Sequence, residues 1–244
     1  MFSFIRNTLR SSLDSLLDFV YPPLCVSCGK LLESGRDHVC SGCWSSIRRV
    51  ETSPELFSET RGKLVASGMI DELASLYVFE KEGVLQKIVH SLKYSGVQAV
   101  GIELGGFLGQ MLMERGISAN VLVPIPLHKR KLRERGYNQS ELIARGISET
   151  TGIPVRTDLV RRSKYTQTQT ALSLEERQKN MEDAFVFGFP MSFDVGGKTI
   201  IVVDDIVTTG STIESCAEIL KRAGAREIIA ASAALAQKDT VERP

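Results

Sequence analysis

The sequence predicts an α/β fold, a mostly parallel sheet flanked by helices, with a small separate module at its N-terminus. Three observations predict it. From Leu73 onward, stretches of helical and strand-like periodicity alternate, as in a sheet whose strands are joined by covering helices. Thr199-Ile200-Ile201-Val202-Val203 is an apolar, β-branched run of the kind buried on both faces of a central strand. Four of the five cysteines fall between Cys25 and Cys43, far from Cys216.

The bulk numbers agree. A chain of 244 residues has room for one full α/β domain and one small module. Hydrophobic residues at 43% and charged residues at 24% describe a chain with a well-buried core and argue against disorder. A formal net charge of +1 excludes a general pull toward polyanions, so affinity for phosphate or nucleic acid must come from local clusters. Compact clustering of the cysteines, rather than a distributed disulfide framework, favours a reducing compartment. No long apolar run precedes Asp14 and Asp18, so neither a secretory signal nor a transmembrane segment is expected, and a cytoplasmic location is.

Element by element, residues 1–22 read as an amphipathic helix: Phe2, Ile5, Leu9, Leu13, Leu16, Leu17 and Val20 recur at helical spacing until Pro22-Pro23 ends the pattern. Such a helix packs on the body of the protein, or meets a membrane surface or partner. Residues 23–48 hold the cysteine module. Residues 46–70 mix Ser, Glu, Thr, Pro and Gly with few bulky apolar residues, so 49–72 is predicted as an irregular connection at a domain boundary. The main domain, 73–238, then reads as a helix through Val84, Leu85, Ile88, Val89 and Leu92, a strand at Val121–Ile125, and a helix from Ser140 to Thr151 closed by Gly152 and Pro154. After the central strand comes a helix from Ser211 to Ala223, stopped by Gly224, and a strand from Ile228 to Ala236. Cys216 falls on that last helix as a packed structural thiol.

Cys25-Val26-Ser27-Cys28 and Cys40-Ser41-Gly42-Cys43 are two Cys-x-x-Cys knuckles separated by eleven residues. Four thiolates so spaced can surround a tetrahedral Zn2+. The loop between them holds too little apolar surface to fold alone, so the metal would supply its folding free energy. With Cys25, Cys28, Cys40 and Cys43 as ligands the site is closed, and the zinc is structural; His38 lies between the knuckles as a spare.

At the end of the central strand stand Asp204 and Asp205, followed by Ile206-Val207-Thr208-Thr209-Gly210-Ser211-Thr212 and a helix. Open α/β sheets bind ligands at that edge. Thr208, Thr209, Ser211 and Thr212 offer hydroxyls, Gly210 lets the backbone approach closely, and the helix start aims N–H groups at an anion, which together cradle one phosphate. Two adjacent carboxylates would repel a second phosphate, but accept hydrogen bonds from vicinal hydroxyls or reach a Mg2+ ion through water. A phosphorylated sugar meets both demands.

Between 129 and 135, immediately after a strand, lie five cations and one acid. Lys129, Arg130 and Arg133, at the same sheet edge, would face the acidic loop and meet a pyrophosphate leaving group. A second run, Arg161-Arg162-Ser163-Lys164-Tyr165, leads through Gln167 and Gln169 to Arg177 and Asn180, a segment suited to a hood that closes over a ligand.

Val202-Val203-Asp204-Asp205-Ile206-Val207-Thr208-Thr209-Gly210-Ser211-Thr212 resembles the phosphoribosyl pyrophosphate signature of type I phosphoribosyltransferases. With the cysteine module, Leu92-Lys93-Tyr94-Ser95-Gly96, Pro124-Ile125-Pro126-Leu127-His128 and Arg135-Gly136-Tyr137-Asn138-Gln139, almost the whole chain resembles the ComF family, the competence protein F group that includes a gluconate-utilisation homologue. The resemblance implies a type I phosphoribosyltransferase-like fold, a parallel sheet flanked by helices, with a small N-terminal four-cysteine zinc-ribbon module. It implies Asp204 and Asp205 as catalytic residues on the ribose hydroxyls, and Val207, Thr208, Thr209, Gly210, Ser211 and Thr212 as holders of the 5-phosphate. The order of parts from Val121 onward also resembles the phosphoribosyltransferase half of glutamine amidophosphoribosyltransferase. Met1 is not followed by Cys and no glutaminase domain is present, so that enzyme is not expected. Purine-salvage members commonly carry an acid where this chain has Thr208, and its absence argues against salvage of a purine.

Three functions stay open. One is a phosphoribosyltransferase, or a binding protein derived from one, taking phosphoribosyl pyrophosphate with Mg2+. Another is an accessory factor of DNA uptake, working on single-stranded DNA with a helicase-like competence protein, as the family resemblance implies. Residues 121–170 hold ten Lys or Arg against four Asp or Glu, but only Tyr137 and Tyr165 for base stacking. A third makes the zinc module and the first helix a docking platform for a partner protein.

Overall fold

A computed structural model of the protein describes residues 22–32, 38–162, 185–188 and 193–237. The helix expected over 1–22 and the hood residues Lys164, Tyr165, Gln167, Gln169, Arg177 and Asn180 lie outside the described residues, Pro22 excepted. In chain order the described elements are α1 (Ser41–Ser46), α2 (Pro54–Ala66), β1 (Glu72–Phe79), α3 (Val84–Tyr94), α4 (Ala99–Glu114), β2 (Val121–Pro124), α5 (Lys129–Arg135), α6 (Gln139–Thr151), β3 (Val160–Arg162), β4 (Phe185–Phe187), β5 (Thr199–Val207), α7 (Ser211–Arg222) and β6 (Glu227–Ala236).

Four strands form a parallel sheet in the order β1-β6-β5-β2. β5 is its centre: Val203 registers with Pro124 on one side and Ala231 on the other. Its side chains alternate between two cores. Ile201 and Val203 join a cluster with α3, α4 and α6, whereas Ile200 and Val202 join one with Leu64 of α2 and Ile213, Cys216 and Leu220 of α7. The apolar run is thus continuous because both faces are covered. The edge at β1 is covered by the segment before it, through Val78 N–H to Arg48 O at 2.9 Å and a bridge between Arg49 and Tyr77. Beyond β2, Leu122 exchanges hydrogen bonds with Pro154 and Arg156 at 2.8 and 2.9 Å, which extends the sheet by one short parallel segment. β3 and β4 pair antiparallel as a separate ribbon.

The connection expected at 49–72 is not irregular. It carries a 3-10 turn at Val50–Thr52 and then α2. Pro54 at the helix start, with its fixed φ and no N–H to waste, begins the helix, and Glu55 in the first turn complements the dipole. Only Leu64 of α2 is fully buried, so the helix has a polar composition that hides its periodicity.

α4 and α6 cross with their backbones nearly touching. A Cβ on Gly105 would lie 2.1 Å from Ile143 O, and one on Gly146 2.0 Å from Ile102 O. Gly101, Gly105 and Gly109, four residues apart on α4, make this approach possible. The crossing fixes α6, whose N-terminus reaches the carboxyl edge of β5. The zinc-ligand knuckles are packed on the same body: Trp44 of α1 meets Phe107 of α4 edge-on at 5.1 Å, and its Nε1–H donates to Glu103 Oε1 at 3.0 Å. No helix among the described residues is long and apolar enough to cross a membrane.

Candidate functional site

The four cysteines converge. Cys25 Sγ lies 3.7 Å from Cys43 Sγ, Cys28 Sγ lies 3.8 Å from Cys40 Sγ, and all four sulfurs lie within 4.8 Å of one another. None is disulfide-bonded. A tetrahedral zinc about 2.3 Å from each thiolate sets its sulfurs about 3.8 Å apart, so the cluster has the dimensions of a zinc site. Backbone geometry builds it: Cys25 N–H donates to Lys30 O, Gly29 N–H returns to Cys25 O with Gly29 at φ 72°, and Cys40 N–H donates to Cys25 Sγ at 3.4 Å. Burial raises the Cys25 thiol, but hydrogen bonds led by the Cys40 N–H outweigh it and bring it to about 6. Burial, with the neighbouring Cys28 and Cys40 sulfurs, pushes Cys43 up to about 12. Four sulfurs this close cannot all ionise without a cation among them. His38 contributes its carbonyl to Val26 N–H and is not in the cluster.

At the carboxyl end of β5, partners from distant segments gather on the two aspartates. Asp204 Oδ1 accepts from Ser140 Oγ at 3.0 Å and from Asp205 N–H at 2.9 Å. Asp205 Oδ1 accepts from Ile206 N–H at 2.9 Å, and its Oδ2 pairs with Lys93 Nζ at 2.5 Å. Ser140 is there because Asn138 caps α6, its Oδ1 receiving Ser140 N–H at 3.2 Å while its Nδ2 donates to Ile125 O at 2.9 Å. Burial, and then the charge of Asp205, push the Asp204 carboxyl up to about 7, against the pull of these hydrogen bonds and of Lys93. Arg162, on β3, is pulled down by burial and partly held up by the charge of Asp204.

The loop that follows is built as the residue types require. Val207 is buried and ends the strand, while Thr208 and Thr209 are exposed. Thr209 Oγ1 and Ser211 Oγ lie 2.8 Å apart. Gly210 adopts φ 87°, and a Cβ there would lie 2.5 Å from Leu64 Cδ2, so α2 braces the loop where only glycine fits. α7 then begins at Ser211 without a side-chain cap, and Thr212 lies in its first turn.

Two clefts flank this strand end. One, of about 770 Å³, lies between the start of α2 and Thr208, Thr209, Ala236 and Gln237. The other, of about 460 Å³, is lined by Lys93, Tyr94, Lys131, Arg135 and Tyr137, among others. Neither cleft is lined by the aspartates themselves; Lys93, the partner of Asp205, links them to the second. The basic segment after β2 forms the helix α5, with no buried residue. Lys129, Arg130 and Arg133 make no described contact with Asp204 or Asp205, and Arg130 pairs with Glu134 at 2.9 Å. The cation that pairs with Asp205 is Lys93, which the sequence marks as part of the Leu92-Lys93-Tyr94-Ser95-Gly96 segment but not as a partner of the acids. Ser140 is unmarked in the sequence as a neighbour of Asp204, whereas Arg162 belongs to the run expected to close over a ligand.

Residues 134–243 match the family described as phosphoribosyl transferase domain, and residues 16–54, which include the cysteine cluster, match the double zinc ribbon domain. The relatives are more particular. Competence protein F of Haemophilus influenzae is 25% identical over 222 residues, 84% of this chain and 93% of its own. DNA utilization protein YhgH of Salmonella typhimurium is 29% identical over 220 residues, 85% of this chain and 94% of its own. Among solved structures, the glutamine phosphoribosylpyrophosphate amidotransferase from B. subtilis is 24% identical with a TM-score of 0.37, over 54% of this chain and 25% of that one. The chain is thus similar to the proteins of the competence protein F group along most of its length.

Proposed function

We propose that this protein binds phosphoribosyl pyrophosphate, or a related ribose-5-phosphate ligand, at the carboxyl end of β5, and does so in DNA uptake. One observation carries the reading: two carboxylates are held side by side at a sheet edge, one of them pushed up to about 7, directly before a loop of hydroxyls and a helix start. Confining two like charges is unfavourable, and it persists where a ligand's hydroxyls or a cation relieve it. Asp204 and Asp205 would accept the ribose hydroxyls, Thr208 to Thr212 would hold the 5-phosphate, and Lys93 would exchange its partner as the ribose arrives. The paired oxygens suit Mg2+, a hard cation, carried in with the pyrophosphate.

As a transferase, the protein would align the anomeric carbon for an acceptor while pyrophosphate departs. Lys129, Arg130 and Arg133 would meet that leaving group; β2, which leads into α5, runs parallel to β5, so α5 springs from the same edge. Thr208 supplies no general base, so the acceptor must attack with a lone pair of its own. The names of the relatives, competence protein and DNA utilization protein, support the setting in DNA uptake. Calorimetry with phosphoribosyl pyrophosphate and Mg2+ should give saturable heat that Asp204→Asn with Asp205→Asn abolishes; the absence of heat in the unaltered chain removes the reading.

A second reading, binding of single-stranded DNA beside a helicase-like partner, is favoured by the second cleft. There Tyr94, 65% exposed, lies under the Arg135 guanidinium at 5.2 Å, with Lys93 and Lys131 near it. Salt-dependent binding weakened by Tyr94→Ala supports it, and salt-independent or absent binding counts against it.

A further inference from the structure

The larger cleft holds a feature that the phosphate loop does not explain. Its far wall is the start of α2, a thirteen-residue helix whose N-cap, Ser53, makes no side-chain capping bond. Serine at that position ordinarily accepts an N–H from the first turn. Here Ser53 lines the cleft at 8% exposure, and its Oγ has no hydrogen-bond partner. The first helical residue, Pro54, has no N–H, and the first backbone bond of the helix runs from Phe57 N–H to Ser53 O at 3.1 Å. That leaves the N–H groups of Glu55 and Leu56 without an acceptor among the described residues. Two backbone donors and a buried hydroxyl donor therefore meet at the positive end of a helix, across a cleft from Thr208 and Thr209.

A buried hydroxyl left unbonded costs stability, and so does an uncapped helix start, unless something else is bound there. We propose that the start of α2 is an oxyanion subsite, receiving a carboxylate or phosphate of a small second ligand on Ser53 Oγ and the N–H groups of Glu55 and Leu56. Arg48, paired with Glu80 at 3.4 Å, also lines the cleft and brings a guanidinium to its side. The remaining charges on that wall fix what the ligand must look like. Glu59 is paired with Lys63, and Glu55, exposed in the first turn, faces the same space. A bare dianion would be repelled by Glu55, whereas an oxyanion next to an N–H or ammonium nitrogen satisfies the helix start and Glu55 together. The second ligand is thus a nitrogen compound bearing one acidic group, small enough to share about 770 Å³ with the phosphate loop. Its role as the acceptor rests on the ribose-phosphate reading; the anion site rests on the cleft alone.

Amide NMR of the full chain separates the two. Inorganic phosphate and benzoate are titrated in turn, with Glu55 and Leu56 reporting the subsite and Gly210 and Ser211 reporting the phosphate loop. Saturable shifts at Glu55 and Leu56 are expected from at least one probe, and which probe produces them identifies the acid as phosphate or carboxylate. Ser53→Ala should weaken that response about ten-fold, as for a hydrogen bond to a charged group, without lowering Tm, because the hydroxyl bonds nothing in the empty protein. Arg48→Ala should weaken it independently. Shifts confined to Gly210 and Ser211 overturn the inference and leave the ribose-phosphate reading standing; shifts confined to Glu55 and Leu56 do the reverse. A fall in Tm for Ser53→Ala with unchanged anion response would make Ser53 a structural cap and overturn the proposal.

Discussion

The cysteine cluster and the aspartate pair are both crowded groups of like charge, yet different forces hold them. Cys25, Cys28, Cys40 and Cys43 come from two adjacent knuckles, and short backbone turns bring their sulfurs to within 4.8 Å of one another. Asp204 and Asp205 come from one strand, but what steadies them comes from Lys93 on α3 and Ser140 on α6, carried to the strand end by a sheet and a helix crossing. The first arrangement depends on an ion, the second on packing. Each should therefore fail under a perturbation that spares the other.

The largest effect should come from removing zinc, because structural sites of this kind supply about 10–16 kcal/mol of binding free energy coupled to folding. Trp44 is the only tryptophan and sits between the cysteine module and α4, so its fluorescence reports the module directly. A strong chelator should shift its emission to the red while the far-ultraviolet dichroism of the sheet persists. Loss of both at one chelator concentration would merge the two regions into one cooperative unit.

Packing should fail next. Gly146→Ala places a methyl about where Ile102 O now lies, and the helices can only separate, costing more than about 3 kcal/mol. Urea unfolding should show the loss, with zinc content per chain unchanged. Because α6 carries Ser140, affinity for phosphoribosyl pyrophosphate should fall along with stability.

This contrast also explains which parts are legible in the sequence. The knuckles, the apolar run of β5 and the acid-to-threonine loop are written in consecutive residues, and the structure places each where its pattern predicts. The helices at Val84–Tyr94 and Gln139–Thr151 follow from periodicity and from Gly152 at φ 74°. What escapes is whatever depends on distance. Nothing near Lys93 announces Asp205, and nothing near Gly105 announces Gly146. α2 escapes because a helix that buries one residue fully leaves almost no apolar stripe. Lys129, Arg130 and Arg133 are marked by composition, and composition cannot tell a cation turned toward the acids from one on the exposed surface of a short helix.

A smaller effect, of opposite sign, belongs to Asp204. In the unfolded chain its carboxyl ionises near the ordinary 3.8, but in the folded protein at about 7. Between those values folding takes up a proton, so stability falls as pH rises from about 4 to about 7 and levels off above. Asp204→Asn keeps the acceptor for Ser140 Oγ and removes the charge. It should flatten that slope and make the variant more stable at pH 8, by on the order of 2 kcal/mol, while abolishing binding of phosphoribosyl pyrophosphate. Thermal melts from pH 5 to 8 would show it. An unchanged slope would mean that Asp204 is ionised throughout and that the acids are not in conflict.

The finest test lies on the seam between the two regions. Trp44 Nε1–H donates to Glu103, and Phe107 abuts its ring, so a charge-assisted hydrogen bond and an edge-on aromatic contact join the cysteine module to α4, beside the apolar core the two share. Glu103→Ala leaves the indole N–H of a half-buried ring without this acceptor and should cost about 1 kcal/mol, with Glu103→Gln recovering most of it. The zinc ligands and the strand end both lie elsewhere, so neither zinc content nor ligand affinity should change. If Glu103→Ala instead weakens ligand binding, the module is coupled to the strand end through α4 and α6, and the two sites answer to one packing arrangement after all.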